Sequence, residues 1–208
     1  MEFDLETDGL DPNKHAINQI GIRTNKGYEK ILTITGNTPE ERDDNELCAI
    51  DEFFRIVNEI KPDVLTGHNS ENFDWNYIIV RCGVLGSDIK EISAPHFKQP
   101  IYKKKRKTVL KLGGETEYFN QTIIWGFNIT DSLHAIRRAQ AIDSNLKSAS
   151  LKYVSEYINA KKENRVYVPG NKIGFIWADC EHDYAFNDKT GEWYVISVCL
   201  HIKARSVV

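Results

Sequence analysis

The period of the hydrophobic pattern changes in a fixed order along the first 86 residues, and that order restricts the fold more than any other feature. "EFDLE" alternates, so Glu2–Glu6 reads as a short strand. "AINQIGIRT" and "YEKILTIT" read as two further strands around a turn at Asn25–Lys26–Gly27. The period then lengthens. In "DNELCAIDEFFRIVNEIKP", Leu47, Ile50, Phe54, Val57 and Ile60 recur at helical spacing and Pro62 ends the run. "DVLTG" is a short buried strand. "FDWNYIIVRCGVLG" is a second helix, with Trp75, Ile78, Ile79 and Cys82 on one face and Gly83 as its stop. Strands, then helix, strand, helix, is the grammar of an α/β protein with a mixed sheet flanked by helices.

The middle of the chain changes character. "PIYKKKRKTVLKLGGETEYFNQTIIWGFNIT" is strand-like, with a turn at Gly113–Gly114, and predicts a β-hairpin inserted over about 96–122, followed by a core strand ending near Asp131. Two helices follow, "SLHAIRRAQAI" and "LKSASLKYVSEYI". β-like sequence then returns, with a turn at Asp188–Gly191. With 208 residues, the expectation is a single domain over 1–208, whose segment 165–208 is divergent or truncated.

Charge and cysteine content limit the function classes. A formal net charge of −3 gives no global attraction to nucleic acid or membrane, so any anion-binding surface must be local. Cys48, Cys82, Cys180 and Cys199 are scattered without a C-x-x-C pair. They read as reduced thiols of a cytoplasmic protein rather than a disulfide frame or a zinc site. No stretch is long and apolar enough for a membrane span, and the acidic N-terminus is not a signal peptide.

Two carboxylates interrupt the first strand. Residues i and i+2 share a strand face, so Asp4 and Glu6 converge while Phe3 and Leu5 point into the core. Such a pair repels itself unless a cation sits between the two, and all-oxygen ligation favours Mg²⁺ or Mn²⁺. Read alone, the pair is equally an acidic strand edge in water. "GHNSENFDWNYI" adds Asn69, Phe73 and Asp74 just after the "DVLTG" strand, at the mouth of the sheet where α/β sites gather. Read alone, Asp74 is equally a helix cap and Asn69 a turn residue.

Taken jointly and in this order, "FDLETDGLDP" and "PDVLTGHNSENFDWNYI" resemble the first two exonuclease motifs of the 3′–5′ proofreading domain of family B DNA polymerases. That domain belongs to the DEDD (DnaQ-like) exonucleases with a ribonuclease H-like fold. The resemblance runs from the first residues to about Ile158. It implies metal-dependent hydrolysis of the 3′-terminal phosphodiester of single-stranded DNA, with two Mg²⁺ or Mn²⁺ ions, one assisting water and one the leaving oxygen. By position, it implies that Asp4, Glu6 and Asp74 are catalytic metal ligands. It also implies that Asn69, Phe73, Leu10 and Thr7 contact the strand end. The implied partners are the 3′ end of single-stranded DNA and a DNA polymerase, or the rest of one.

The family's third motif, Tyr-x-x-x-Asp on a helix, has its literal spacing in "YAFND", at Tyr184 and Asp188. The surroundings "FNDKTGEWY" read instead as a hairpin turn. A tyrosine and an aspartate four apart converge on a helix, not across a turn. After Glu192 the tail contains no acidic residue. The expectation is therefore a chain trimmed or diverged at its ends, with Asp188 a weak candidate ligand and a second metal held loosely. The alternative function is a catalytically impaired exonuclease fold that binds DNA ends or acts as a polymerase scaffold. A ribonuclease of the same superfamily is a third reading, since only a contact to the 2′-hydroxyl separates RNA from DNA.

The remaining features have bland readings beside functional ones. Lys103–Lys107 is a phosphate contact or a solvated hairpin edge. Asp131 is a helix N-cap or a support for the acidic site. His134, Arg137 and Arg138 form a solvated helix face. Trp125, Trp177 and Trp193 are read as core or sheet-face residues.

Overall fold

The computed structural model describes residues 1–112, 115–160, 184–187 and 192–195. It is a mixed α/β structure that divides into two compact units, residues 1–150 and 151–208. The sequence reading takes 1–208 as one domain; the division falls after Ser150, ahead of the 165–208 segment.

The first unit is built on a five-stranded sheet. Its strands are β1 (Glu2–Thr7), β2 (Ile17–Arg23), β3 (Glu29–Thr33), β4 (Val64–Gly67) and β9 (Asn128–Asp131), in the order β3-β2-β1-β4-β9. The first three form an antiparallel meander, with Leu5 opposite Ile20 and Ile20 opposite Leu32. Gly27, at φ 87°, supplies the left-handed turn between β2 and β3. β1 and β4 are parallel, as are β4 and β9. The sequence-predicted mixed sheet with flanking helices is present.

Between β3 and β4 runs α1 (Pro39–Ile60), five residues longer at its start than the apolar stripe predicts. Thr38 caps it, accepting the Glu41 amide, and Pro39 opens the first turn. Ile50, Phe53, Phe54, Ile56 and Val57 are buried against the sheet. Phe3 sits between them and α2 (Asp74–Val84), its ring 5.0 Å from Phe53 and 4.8 Å from Trp75. This cluster holds the apolar face of β1 in place, so the opposite face presents Asp4 and Glu6.

Gly83 does not stop α2. It lies inside the helix with open space where a Cβ would stand, and the chain turns at Gly86, φ 78°. A short helix α3 (Ile89–Ser93), absent from the sequence reading, follows; five residues are too few to show a period.

The predicted insertion is two nested hairpins. β5 (Tyr102–Lys103) pairs with β8 (Thr122–Ile123), and β6 (Thr108–Leu112) pairs with β7 (Glu115–Phe119) between them. The Gly113–Gly114 turn lies outside the described residues. α4 (Ser132–Gln140) follows β9. Arg137 of α4 is ion-paired with Glu117, and the His134 ring lies 4.3 Å from Phe119, so this helix face carries the hairpin instead of facing only water. Trp125 is 52% exposed and is not a core residue.

In the second unit α5 spans Leu151–Tyr157, shorter than the predicted helix from Leu146. β10 (Tyr184–Asn187) and β11 (Glu192–Val195) pair antiparallel, Asn187 opposite Glu192, as the hairpin reading of this segment requires. Trp193 lies in β11; Trp177, Cys180 and Cys199 lie outside the described residues. No helix among the described residues is long and apolar enough to cross a membrane.

Candidate active site

The parallel pairing of β1 and β4 brings the start of α2 to the strand that carries Asp4 and Glu6. Glu2 pairs with Thr66, so the strands run level and Asp4 falls beside the β4 exit at His68. β4 ends there. The Leu5 amide, beyond that pairing, donates instead to Asp74 Oδ1 at 3.1 Å. Asp74 is 2% exposed and is the first residue of α2; Phe73 is the capping residue and makes no side-chain cap bond. The carboxylate is therefore not a helix cap. It reaches across to the strand at the residue between Asp4 and Glu6.

The loop from His68 to Phe73 is held by a residue 60 positions away from Glu71. Asp131, at the end of β9, is buried and caps α4 by accepting the Leu133 amide at 2.9 Å. The same carboxylate accepts the amides of Asn69 at 2.8 Å and Glu71 at 3.0 Å. Asp131 is thus the N-cap that the sequence suggests, and it also holds the loop of Asn69 and Glu71. Asn69 adopts φ 63° and accepts the Phe73 amide on its carbonyl, so it is a turn residue as well. Glu71, buried, takes the Thr122 amide at 2.9 Å and its hydroxyl at 2.7 Å, and its carbonyl takes Lys103 Nζ. Burial raises the Glu71 pKa against those hydrogen bonds.

Charge accumulates on the outer face of β1. Glu2 is pushed up to about 7, by burial first and then by the charge of Asp4. His68 is half-buried, with Nδ1 3.1 Å from Ser132 Oγ. Its pKa is lowered by burial, opposed by the negative charges of Asp131 and Asp4.

The other sequence-predicted residues stand as follows. Thr7 donates its hydroxyl to Gly9 O at 2.9 Å. Leu10 is 84% exposed. Phe73 is partly buried, packed on the core with its ring 5.3 Å from Tyr77. Lys103 and Lys104 bond Glu71 O and Gln121 Oε1, while Lys105, Arg106 and Lys107 are exposed. Tyr184 lies in β10, and Asp188 is outside the described residues. The donors suit a hard divalent ion, being all carboxylate oxygen. Among the described residues, no three His, Cys, Asp or Glu side chains gather closely enough to enclose one.

Sequence reasoning missed one buried pair. Glu46 is fully buried and takes Arg81 in a two-point contact, 2.8 Å from Nε and 2.7 Å from Nη2, together with the Ile17 amide at 3.0 Å. On the helical stripe Glu46 is simply a charged residue beside Leu47, and nothing local marks it as buried.

Asp4 and Glu6 thus share the central strand of a mixed sheet, and a third carboxylate, Asp74, is tied to the same strand from the next helix. The family model for "DNA polymerase family B, exonuclease domain" matches residues 1–154, and the chain belongs to that family. DNA polymerase 2 of Aeropyrum pernix is 36% identical over 90 residues, covering 41% of this chain and 10% of that protein. The catalytic polypeptide of DNA polymerase epsilon from Emericella nidulans is 39% identical over 59 residues, 28% of this chain and 3% of that one. The catalytic polypeptide of DNA polymerase delta from Caenorhabditis elegans is 28% identical over 123 residues, 58% of this chain and 11% of that one. The fold is similar to that of the family B DNA polymerase from Pyrobaculum calidifontis, with a TM-score of 0.57 at 24% identity, over 86% of this chain and 21% of that one. The chain thus spans about a tenth or less of the length of these curated relatives.

Proposed function

We propose that this domain is a metal-dependent 3′–5′ exonuclease on single-stranded DNA. The observation that carries the reading is the reach of Asp74 to the Leu5 amide, which fixes a buried carboxylate to the strand between Asp4 and Glu6. Those three residues would hold Mg²⁺ or Mn²⁺. When bound, such ions activate water and steady the leaving oxygen. The chain itself orients the acids: the Phe3 cluster sets the strand face, and Asp131 sets the loop that carries Asn69 toward Asp74. Asn69, Phe73, Thr7 and Leu10 would line the approach of the terminal nucleotide. Lys105, Arg106 and Lys107 are exposed and would meet backbone phosphates. The lengths of the relatives favour a domain that acts as part of a polymerase or beside one.

A second reading is a domain that grips DNA ends without cutting them. It is favoured by the lack of a gathered three-acid group among the described residues. The two readings separate on matched single-stranded DNA and RNA of one sequence, labelled at the 5′ end, in Mg²⁺ or Mn²⁺. Shortening of the DNA from its 3′ end supports the exonuclease. Shortening of RNA alone moves the substrate class to RNA. Retarded but intact DNA supports the gripping domain.

A further inference from the structure

The loop between β1 and β2 is closed at its neck by one phenol. Tyr77 Oη lies 2.9 Å from Gly9 O and 2.9 Å from His15 O, sharing its proton between the two carbonyls. The Asp8 amide donates to Ala16 O at 3.0 Å just below. Inside the neck the His15 ring occupies the space beside Gly9, where a Cβ would stand 2.5 Å from His15 Cδ2. Arg81, held by Glu46, reaches Pro12 O at 3.3 Å. Asp8 is gripped by Arg42 and Asn18, at 2.8 and 2.7 Å. From this pinned loop Leu10 projects into water at 84% exposure. The Tyr77 ring is buried, and phenylalanine would fill the same space, so the hydroxyl serves the loop and not the core.

We infer that Tyr77 is a positioning residue: its phenol fixes the Gly9–His15 neck so that Leu10 stands as a pre-ordered apolar contact for the terminal base of a single strand. The inference rests on the exonuclease reading above. A loop ordered at folding gives up less entropy when a base arrives than one ordered by the base itself.

The test is steady-state hydrolysis of a single-stranded oligodeoxynucleotide by the full chain, with thermal unfolding of each variant measured alongside. Tyr77→Phe and Leu10→Ala should each raise KM about five- to tenfold with kcat within about twofold. The double variant should be no worse than Leu10→Ala alone, because both remove the same contact. Gly9→Ala, which must displace the His15 ring, should reproduce the KM effect without touching Tyr77. A Tyr77→Phe protein with a lower Tm but unchanged KM overturns the inference, as does a double variant whose KM is the product of the two single effects. A wild-type chain that shortens no single-stranded DNA overturns the exonuclease reading itself, and this inference with it.

Discussion

Asp74 Oδ1 accepts the Leu5 amide at 3.1 Å, across 69 residues of sequence. That carboxylate satisfies a buried strand amide, and in the proposed exonuclease it would also be a metal ligand; two substitutions separate the two duties. Asp74→Asn keeps an acceptor for Leu5 and should change stability by under ~1 kcal/mol. Asp74→Ala strands the amide and should cost about 1–3 kcal/mol. Both should abolish nuclease activity, since neither supplies the negative charge. Urea unfolding and a DNA-degradation assay on the same samples check both halves.

Glu46 and Arg81 are a buried pair with matched hydrogen bonds, and each partner makes the other tolerable. Glu46→Ala should destabilise by ~3–5 kcal/mol, because it leaves the buried guanidinium only the Pro12 carbonyl and a 3.9 Å approach to Asp43, and strands the Ile17 amide. Glu46→Leu with Arg81→Met should lose far less in equilibrium unfolding.

Asp131 satisfies three amides from two elements, at Asn69, Glu71 and Leu133. Asp131→Ala should cost about 2–4 kcal/mol, a lost cap plus two stranded donors. Hydrogen exchange should then quicken at Asn69 and Glu71 more than in β2, which shares no partner with Asp131.

Cys82 is buried on α2, and burial pushes its thiol from an ordinary 9.0 up to about 12. The native state keeps the proton that the unfolded chain loses between those values. Stability should therefore fall as pH rises from 9.0 toward 12, by at most ~1.4 kcal/mol per pH unit. Cys82→Ala should flatten that slope. At about pH 8 a thiol reagent should modify exposed Cys48 while Cys82 stays protected until the protein unfolds.

What could be read from sequence is what local periodicity encodes. The alternation Phe3, Asp4, Leu5, Glu6 and the stripe through Ile50, Phe54 and Val57 depend on neighbours a few residues away, and the structure carries both. Gly83 misled because glycine is tolerated inside a helix where its surface is open, while the left-handed turn came three residues later at Gly86. Glu46 and Arg137 are legible only as charges, and Asp131 only as a cap whose other partners are unmarked. Their partners Arg81, Glu117 and the Asn69 loop are 35, 20 and 62 residues away, distances at which no period speaks. Trp125 is exposed at a turn closed by Gly126, φ 92°, where size and apolarity pointed inward. Motif order marks Asp4, Glu6 and Asp74 in the sequence, whereas the tether between Asp74 and β1 is a contact that only the fold provides.

In the proposed exonuclease Asp4, Glu6 and Asp74 act together on the 3′ end of a single strand. The decisive experiment incubates 5′-labelled single-stranded DNA with the wild-type chain and with Asp4→Ala in Mg²⁺ or Mn²⁺. The expected result is a ladder that shortens from the 3′ end, needs the metal and disappears in the variant. An undegraded strand in both metals from a folded wild-type protein, or a ladder that survives Asp4→Ala, would contradict it.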